Sequence, residues 1–176
     1  MVSMRTQRVT AVLAVVLLAV LAGAGLMGLR FNLSPSVPVG IWRIVDTNPQ
    51  HLHQGDYVLF CPPPHPIILA LRRDNYLQGG DCEGDVIPFI KLVVAMPGQA
   101  YTITEDGVAI DGVLIAHSEP YPFPALPPAP SGVVPPGHFL GVQTMNPRSL
   151  DSRYFGPLPV SSFRGVMRPV WTLSHA

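Results

Sequence analysis

Residues 88–98 read PFIKLVVAMPG, and Lys91 within them is the only lysine in a chain of 176 residues whose other basic side chains are all arginine. Phe89, Ile90, Leu92, Val93 and Val94 surround it with a short apolar run, and Pro97-Gly98 supplies the turn that stops it. The spacing predicts a strand over Ile87–Met96 inside a packed sheet. A lysine in such a strand has two options. Its stem can lie along apolar surface and carry the ammonium to water. Alternatively the amine is buried, which favours the neutral form and lowers its pKa. Only the second makes Lys91 a usable general base.

Working outward, Ile41–Val45 and Asp56–Phe60 (DYVLF) have strand composition, with a turn at His51–Gly55 between them. Downstream, Ala100–Thr104 and Val108–Ile110 flank Glu105-Asp106-Gly107 as a hairpin. Val113–Ala116, His138–Thr144 and Val166–Leu173 are further strands, the last interrupted by Pro169, and Met145–Gly156 is a polar loop. Leu69–Tyr76 reads as a short helix or an irregular excursion. No window beyond residue 31 sustains helical periodicity for three turns, and the 21 prolines are more than double the usual share. The fold class is mainly β. Two stretches look inserted: residues 61–85, and the proline-rich residues 119–135, a surface loop of polyproline character too apolar for a solvated linker.

Val9–Leu29 holds 21 uncharged residues, long enough to cross a bilayer core. Arg5 and Arg8 precede it, and the positive-inside rule places Met1–Arg8 in the cytoplasm and the chain after Arg30 outside. The competing explanation, a cleaved signal peptide, has only Ala22-Gly23-Ala24 as a small-residue pattern, and that lies inside the apolar run. An uncleaved anchor is expected: residues 1–30 as cytoplasmic N-terminus and transmembrane segment, residues 31–176 as one extracytoplasmic domain. Cys61 and Cys82 would then sit where disulfides persist. A bridge would close 20 intervening residues and contribute about 3 kcal/mol; two free buried thiols are the alternative.

Net charge is zero with no basic run, which argues against nucleic acid as a partner. No HExxH, CxxC or paired-His spacing suggests a metal, no cofactor is implied, and no Gly-x-Ser-x-Gly elbow is present. The six histidines (His51, His53, His65, His117, His138 and His175) neighbour turns and prolines and none is marked out. What remains is a Ser/Lys pairing, a recognised variant of the catalytic triad. Ser36 lies in irregular chain only seven residues past Leu29, beside the membrane. Sequence spacing does not show that Ser36 and Lys91 meet.

Four segments taken together resemble the signal-peptidase family of Ser/Lys serine proteases, in its conjugative-transfer (TraF-type) branch. They are Asn32-Leu-Ser34-Pro-Ser36-Val-Pro38-Val-Gly40-Ile-Trp42, the strand Gly55–Phe60, the segment from Lys91 to Gly98 with the hairpin Ile103–Gly112 behind it, and Ser149-Leu-Asp151-Ser-Arg153-Tyr-Phe-Gly-Pro157. The resemblance does not extend to the two insertions. It implies a signal-peptidase-like β-barrel-type catalytic domain on a single transmembrane helix in the inner (cytoplasmic) membrane, with the domain periplasmic or otherwise extracytoplasmic. Carried over by position, Ser36 is the nucleophile, Lys91 the general base and Ser34 an oxyanion donor beside the Ser36 backbone N–H. Ser149 orients the lysine, and Asp151 and Arg153 support the site or merely fasten their loop. The implied partners are the lipid bilayer, an exported precursor, foremost a conjugative pilin subunit that the branch also cyclises, and other conjugation-apparatus proteins.

Two departures bear on the branch. Only Val37 separates Ser36 from its proline, and Thr144-Met145-Asn146 stands where general signal peptidases have Gly-Asp-Asn. Both favour the conjugation branch over a general type I signal peptidase. An inactive membrane-anchored assembly protein is the alternative from outside enzymology.

Overall fold

Ser3 caps the first helix by accepting a hydrogen bond from the Arg5 N–H at 3.2 Å, and α1 then runs from Met4 to Leu26 with none of its residues buried. The computed structural model describes residues 3–124 and 126–173; His175 lies outside them. At 1.5 Å per residue the 23 residues of α1 span about 35 Å. The apolar run continues to Leu29, but the helix does not. A turn at Met27-Gly28 ends it, and Leu29 enters β1 (Leu29–Asn32). The sheet therefore begins before the boundary expected at residue 30. Pairing decides this: Leu29 sits opposite Arg43 of β2 (Gly40–Asp46) in an antiparallel ladder.

The chain continues through β3 (Tyr57–Phe60), α2 (Pro66–Arg73), β4 (Phe89–Ala95), β5 (Ala100–Thr104), β6 (Gly107–Ile110), β7 (Val113–Leu114), β8 (Gly132–Val133) and β9 (His138–Val142). It ends with the short helix α3 (Ser152–Phe155), β10 (Leu158–Pro159) and β11 (Phe163–Thr172). The main sheet has the order β1-β2-β11-β3-β4-β9-β10, and a second sheet has β7-β6-β5-β8. The expectation of a mainly β domain holds. The main sheet is curled, with β1 and β10 at the two ends of its strand order.

Three differences from the sequence reading have local causes. β11 runs through Pro169 instead of being interrupted by it. The ladder to β2 shifts register between Pro169 and Trp171, an irregularity suited to a proline that has no N–H to donate. Gly40 opposes the far end of β11, and a Cβ there would come within 2.2 Å of the Trp171 carbonyl oxygen. Only glycine lets the two strands approach so closely.

The polar loop after β9 contains α3, capped by Asp151, whose carboxylate accepts from the Arg153 N–H at 3.1 Å. The proline-rich stretch, expected as a surface loop, packs part of its apolar content against the domain. Leu126, Ala129 and Val134 are buried, and the Ala129 N–H donates to the Arg153 carbonyl at 2.8 Å.

The core lies between the layers. Val94, Ala95, Leu140 and Val142 of the main sheet pack against Tyr101, Ile103, Val108 and Ile110 of the small one. A second cluster sets Val58, Phe60 and Val93 against Phe139, Leu158 and Val166. β4 is central to both, which explains why its sequence is apolar on both faces.

Candidate active site

Ser36 lies in the connection from β1 to β2, and the shape of that connection is set by Asn32. The Asn32 Nδ2 donates to the carbonyls of Ser34 (2.9 Å), Val37 (3.2 Å) and Pro38 (3.2 Å), while Oδ1 accepts from the Ser34 N–H at 3.2 Å. Trp42 adds a bond from Nε1 to the Pro38 carbonyl at 2.9 Å. Sequence reasoning gave Asn32 no role. An asparagine immediately before a Ser/Pro loop was the available signal, since its side chain bonds nearby backbone readily. Asn32→Ala leaves these carbonyls without their donor. It is expected to destabilise the domain by about 1–3 kcal/mol in a urea titration.

Val37 pulls the loop inward, packing with Trp42, Leu59, Ile90 and Met167 in one buried cluster. Ser36 itself is 8% exposed. Its N–H donates to Ser34 Oγ at 3.3 Å, so the two proposed oxyanion donors already lie side by side. The Ser36 hydroxyl makes no hydrogen bond with the described residues. Among those residues the one fully buried side-chain nitrogen or oxygen without a partner is Gln143 Nε2.

Lys91 does not snorkel. It stands in the middle of the main sheet opposite Val58 of β3 and is 4% exposed. On its other side a Cβ at Gly141 of β9 would lie 3.2 Å from the Lys91 Cβ, so glycine leaves room for the lysine stem. Nζ donates to Ser149 Oγ at 2.7 Å and lies 5.5 Å from the centre of the Phe89 ring. Burial pulls the amine's pKa down from 10.5 to about 8; nearby Asp151 works against this and Arg153 with it. No hydrogen bond joins Lys91 to Ser36, although their neighbours Ile90 and Val37 share a cluster.

Asp151 and Arg153 form a fully buried pair, with Nε to Oδ1 at 2.9 Å and the second guanidinium nitrogen to Oδ2 at 2.8 Å. Arg153 also donates to the carbonyls of Glu119 (2.9 Å), Gln143 (3.0 Å) and Ser149 (3.2 Å). Asp151 further accepts from the Gln143 N–H at 3.1 Å. The pair thus fastens the Ser149 loop to the end of β9 and to the start of the proline-rich stretch.

Three of the histidines are engaged elsewhere: His51 with Asp46 at 2.8 Å, His65 as the cap of α2, and His138 with the Pro136 carbonyl at 3.0 Å. Among the described residues no group of three His, Cys, Asp or Glu side chains is placed to hold a metal. Two surface cavities, of about 340 and 470 Å³, flank the proline-rich stretch and the small sheet; neither is lined by Ser36 or Lys91.

A family model described as signal peptidase, peptidase S26, matches residues 2–172. The chain belongs to the signal peptidase family. Within it, this signal peptidase relative is 41% identical over 161 residues to the conjugal transfer protein TraF of Agrobacterium fabrum (strain C58), covering 87% of this chain and 90% of that protein. It is 42% identical over 163 residues to the conjugal transfer protein TraF of Agrobacterium tumefaciens (strain 15955), covering 90% and 91%. Among solved structures, a signal peptidase I from Enterococcus faecalis V583 aligns with a TM-score of 0.42 at 21% identity, over 65% of this chain and 95% of that one.

Proposed function

We propose that this chain is a membrane-anchored serine endopeptidase that processes exported precursors, a conjugative pilin subunit foremost, through Ser36 and Lys91. The observation that carries the proposal is the sole lysine of a signal-peptidase family member, buried at mid-sheet and hydrogen-bonded to Ser149, with its pKa lowered to about 8.

In this mechanism the neutral Lys91 amine takes the Ser36 proton as Oγ attacks the scissile carbonyl. The Ser36 N–H and the Ser34 hydroxyl donate to the oxyanion, replacing the long bond they now make to each other. Collapse breaks the C–N bond, Lys91 returns the proton to the leaving amine, and an acyl-enzyme remains. Water then attacks the ester with Lys91 again as base. If the attacking group is instead an amine of the same substrate, the product is a cyclic peptide. Ser149 holds the amine in place throughout, and Asp151 with Arg153 holds Ser149.

The domain is assigned to the periplasmic side of the inner membrane. Arg5 and Arg8 ahead of α1 and the Cys61–Cys82 disulfide support this orientation. Phe31, Ile41 and Trp171 form a row across three strands, and Phe31, Leu33, Trp171 and Leu173 are all exposed. β1 starts three residues beyond the end of α1, within roughly 10 Å of it, so this apolar face is held at the lipid surface. With the full chain in vesicles, brominated lipid is expected to quench Trp171 fluorescence but not that of the buried Trp42. Quenching that persists in Trp171→Phe, or no quenching at all, contradicts this placement.

The activity is tested by reconstituting the full chain in vesicles with a conjugative pilin precursor and reading the product by mass spectrometry. A fragment cut at one fixed peptide bond, linear or cyclised, is the expected product. Cleavage of many unrelated secreted precursors would mean a general signal peptidase. An uncut precursor, with conjugation unaffected by loss of Ser36, would mean an assembly protein.

A further inference from the structure

The excursion between β3 and β4 is tied at its two ends. Cys61 and Cys82 are joined by a disulfide, and Arg72 of α2 binds Asp85 through a guanidinium nitrogen at 2.7 Å. Inside it, Ile68, Cys82 and Val86 form a buried cluster. The side chains packed against that cluster from outside the excursion are Phe89, Leu150 and Phe155. Phe89 lies two residues before Lys91 on β4, hence on the same face, and its ring lies beneath Nζ. Leu150 follows Ser149, whose Oγ accepts the hydrogen bond from that amine. Phe155 belongs to α3, which the Asp151–Arg153 pair anchors.

One apolar cluster therefore backs both sides of the Lys91–Ser149 contact, and the disulfide closes that cluster. We propose that the disulfide-tied excursion is a positioning device for Lys91, seating Ser149 against the amine through Leu150 and excluding water through Phe89. The proposal rests on the Ser/Lys reading for its effect on catalysis, but its effect on the lysine can be measured without any substrate. The charged groups acting on Lys91 are Asp151 and Arg153; Val58 and Gly141 flank it on the adjacent strands without charge. Loosening the cluster admits water to the amine, relieves its desolvation, and raises its pKa.

The test uses the full chain with its lysine labelled at 13Cε, which yields one titrating resonance because Lys91 is the only lysine. Two variants are compared with the parent: Cys61→Ser/Cys82→Ser, and Leu150→Ala with the disulfide intact. In both, the midpoint is expected to move from about 8 toward 10.5. The same variants should lose kcat on the order of tenfold, with KM held within about twofold, as misplacement of a catalytic group requires. A role in stability alone would lower the melting temperature and leave the midpoint of the folded protein unmoved. A folded variant with the parental midpoint and kcat overturns the proposal. If the double cysteine variant does not fold, Leu150→Ala decides. A shifted midpoint alongside undiminished processing by Ser36→Ala would remove the Ser/Lys reading and leave the positioning role standing. An unmoved midpoint alongside Ser36-dependent processing would do the reverse.

Discussion

Lys91→Met is expected to abolish precursor processing and yet to leave the domain at least as stable as the parent at pH 7. Loss of either member of a nucleophile–base unit can cost up to about 10⁶-fold in turnover, and the losses do not add. Ser36→Ala and the double variant should therefore be as inactive as Lys91→Met and no worse. The stability half follows from the buried amine. Its midpoint is 10.5 when unfolded and about 8 when folded, so between those values the unfolded chain holds more protons. Parental stability then rises as pH climbs through that window, by about 3 kcal/mol in all, and below pH 8 the cost of a buried ammonium is fully present. Methionine has a similar reach and no charge. It leaves Ser149 Oγ without a donor, which costs about 1 kcal/mol and does not offset the gain. Urea titrations at pH 7 and pH 10 should show the parent gaining stability with pH and the variant not. Processing at the parental rate by Lys91→Met or Ser36→Ala sinks the dyad.

Arg153→Met should have the largest effect on stability. The guanidinium is fully buried, bonds both oxygens of Asp151 and donates to three carbonyls from separate segments. Removing it strands a buried carboxylate, a change that costs about 3–5 kcal/mol. At roughly 2–4 °C per kcal/mol for a domain of this size, the melting temperature should fall by roughly 6–20 °C. Pairing it with Asp151→Leu removes the stranded charge and should recover part of the loss. Recovery stays incomplete because the carbonyls of Glu119, Gln143 and Ser149 remain without their donor. A melting temperature within about 2 °C of the parent for the single variant would mean that the pair is a dispensable fastening.

The parts of this architecture that local pattern encodes were legible in the chain. Lys91 in its apolar run, the DYVLF strand and the hairpin at Gly107 all stand near where their composition puts them, because strand periodicity and turn chemistry are local. The bridge between Cys61 and Cys82 was open between two states, since sequence separation does not fix the distance between two thiols. β1 was not foreseen: Leu29 belonged to the apolar run and the residues leading to Ser36 to irregular chain, because pairing with β2 supplies the reason that β1 is extended. The proline-rich stretch was expected at the surface, yet Leu126, Ala129 and Val134 are buried; its partners, Arg153 and Tyr154, are distant in sequence. The contacts of Leu150 and Phe89 with the excursion are of the same kind. Packing of an insertion against a site becomes visible only once the chain has folded.

Catalysis by Ser36 requires Lys91 to be buried beside Ser149 as a base and not exposed as a surface charge. The direct measurement is a pH titration of the single 13Cε-lysine resonance in the full-length chain, from pH 6 to pH 12. The expected midpoint is about 8, with processing activity rising through the same value. A midpoint near 10.5, the ordinary lysine value, would contradict it.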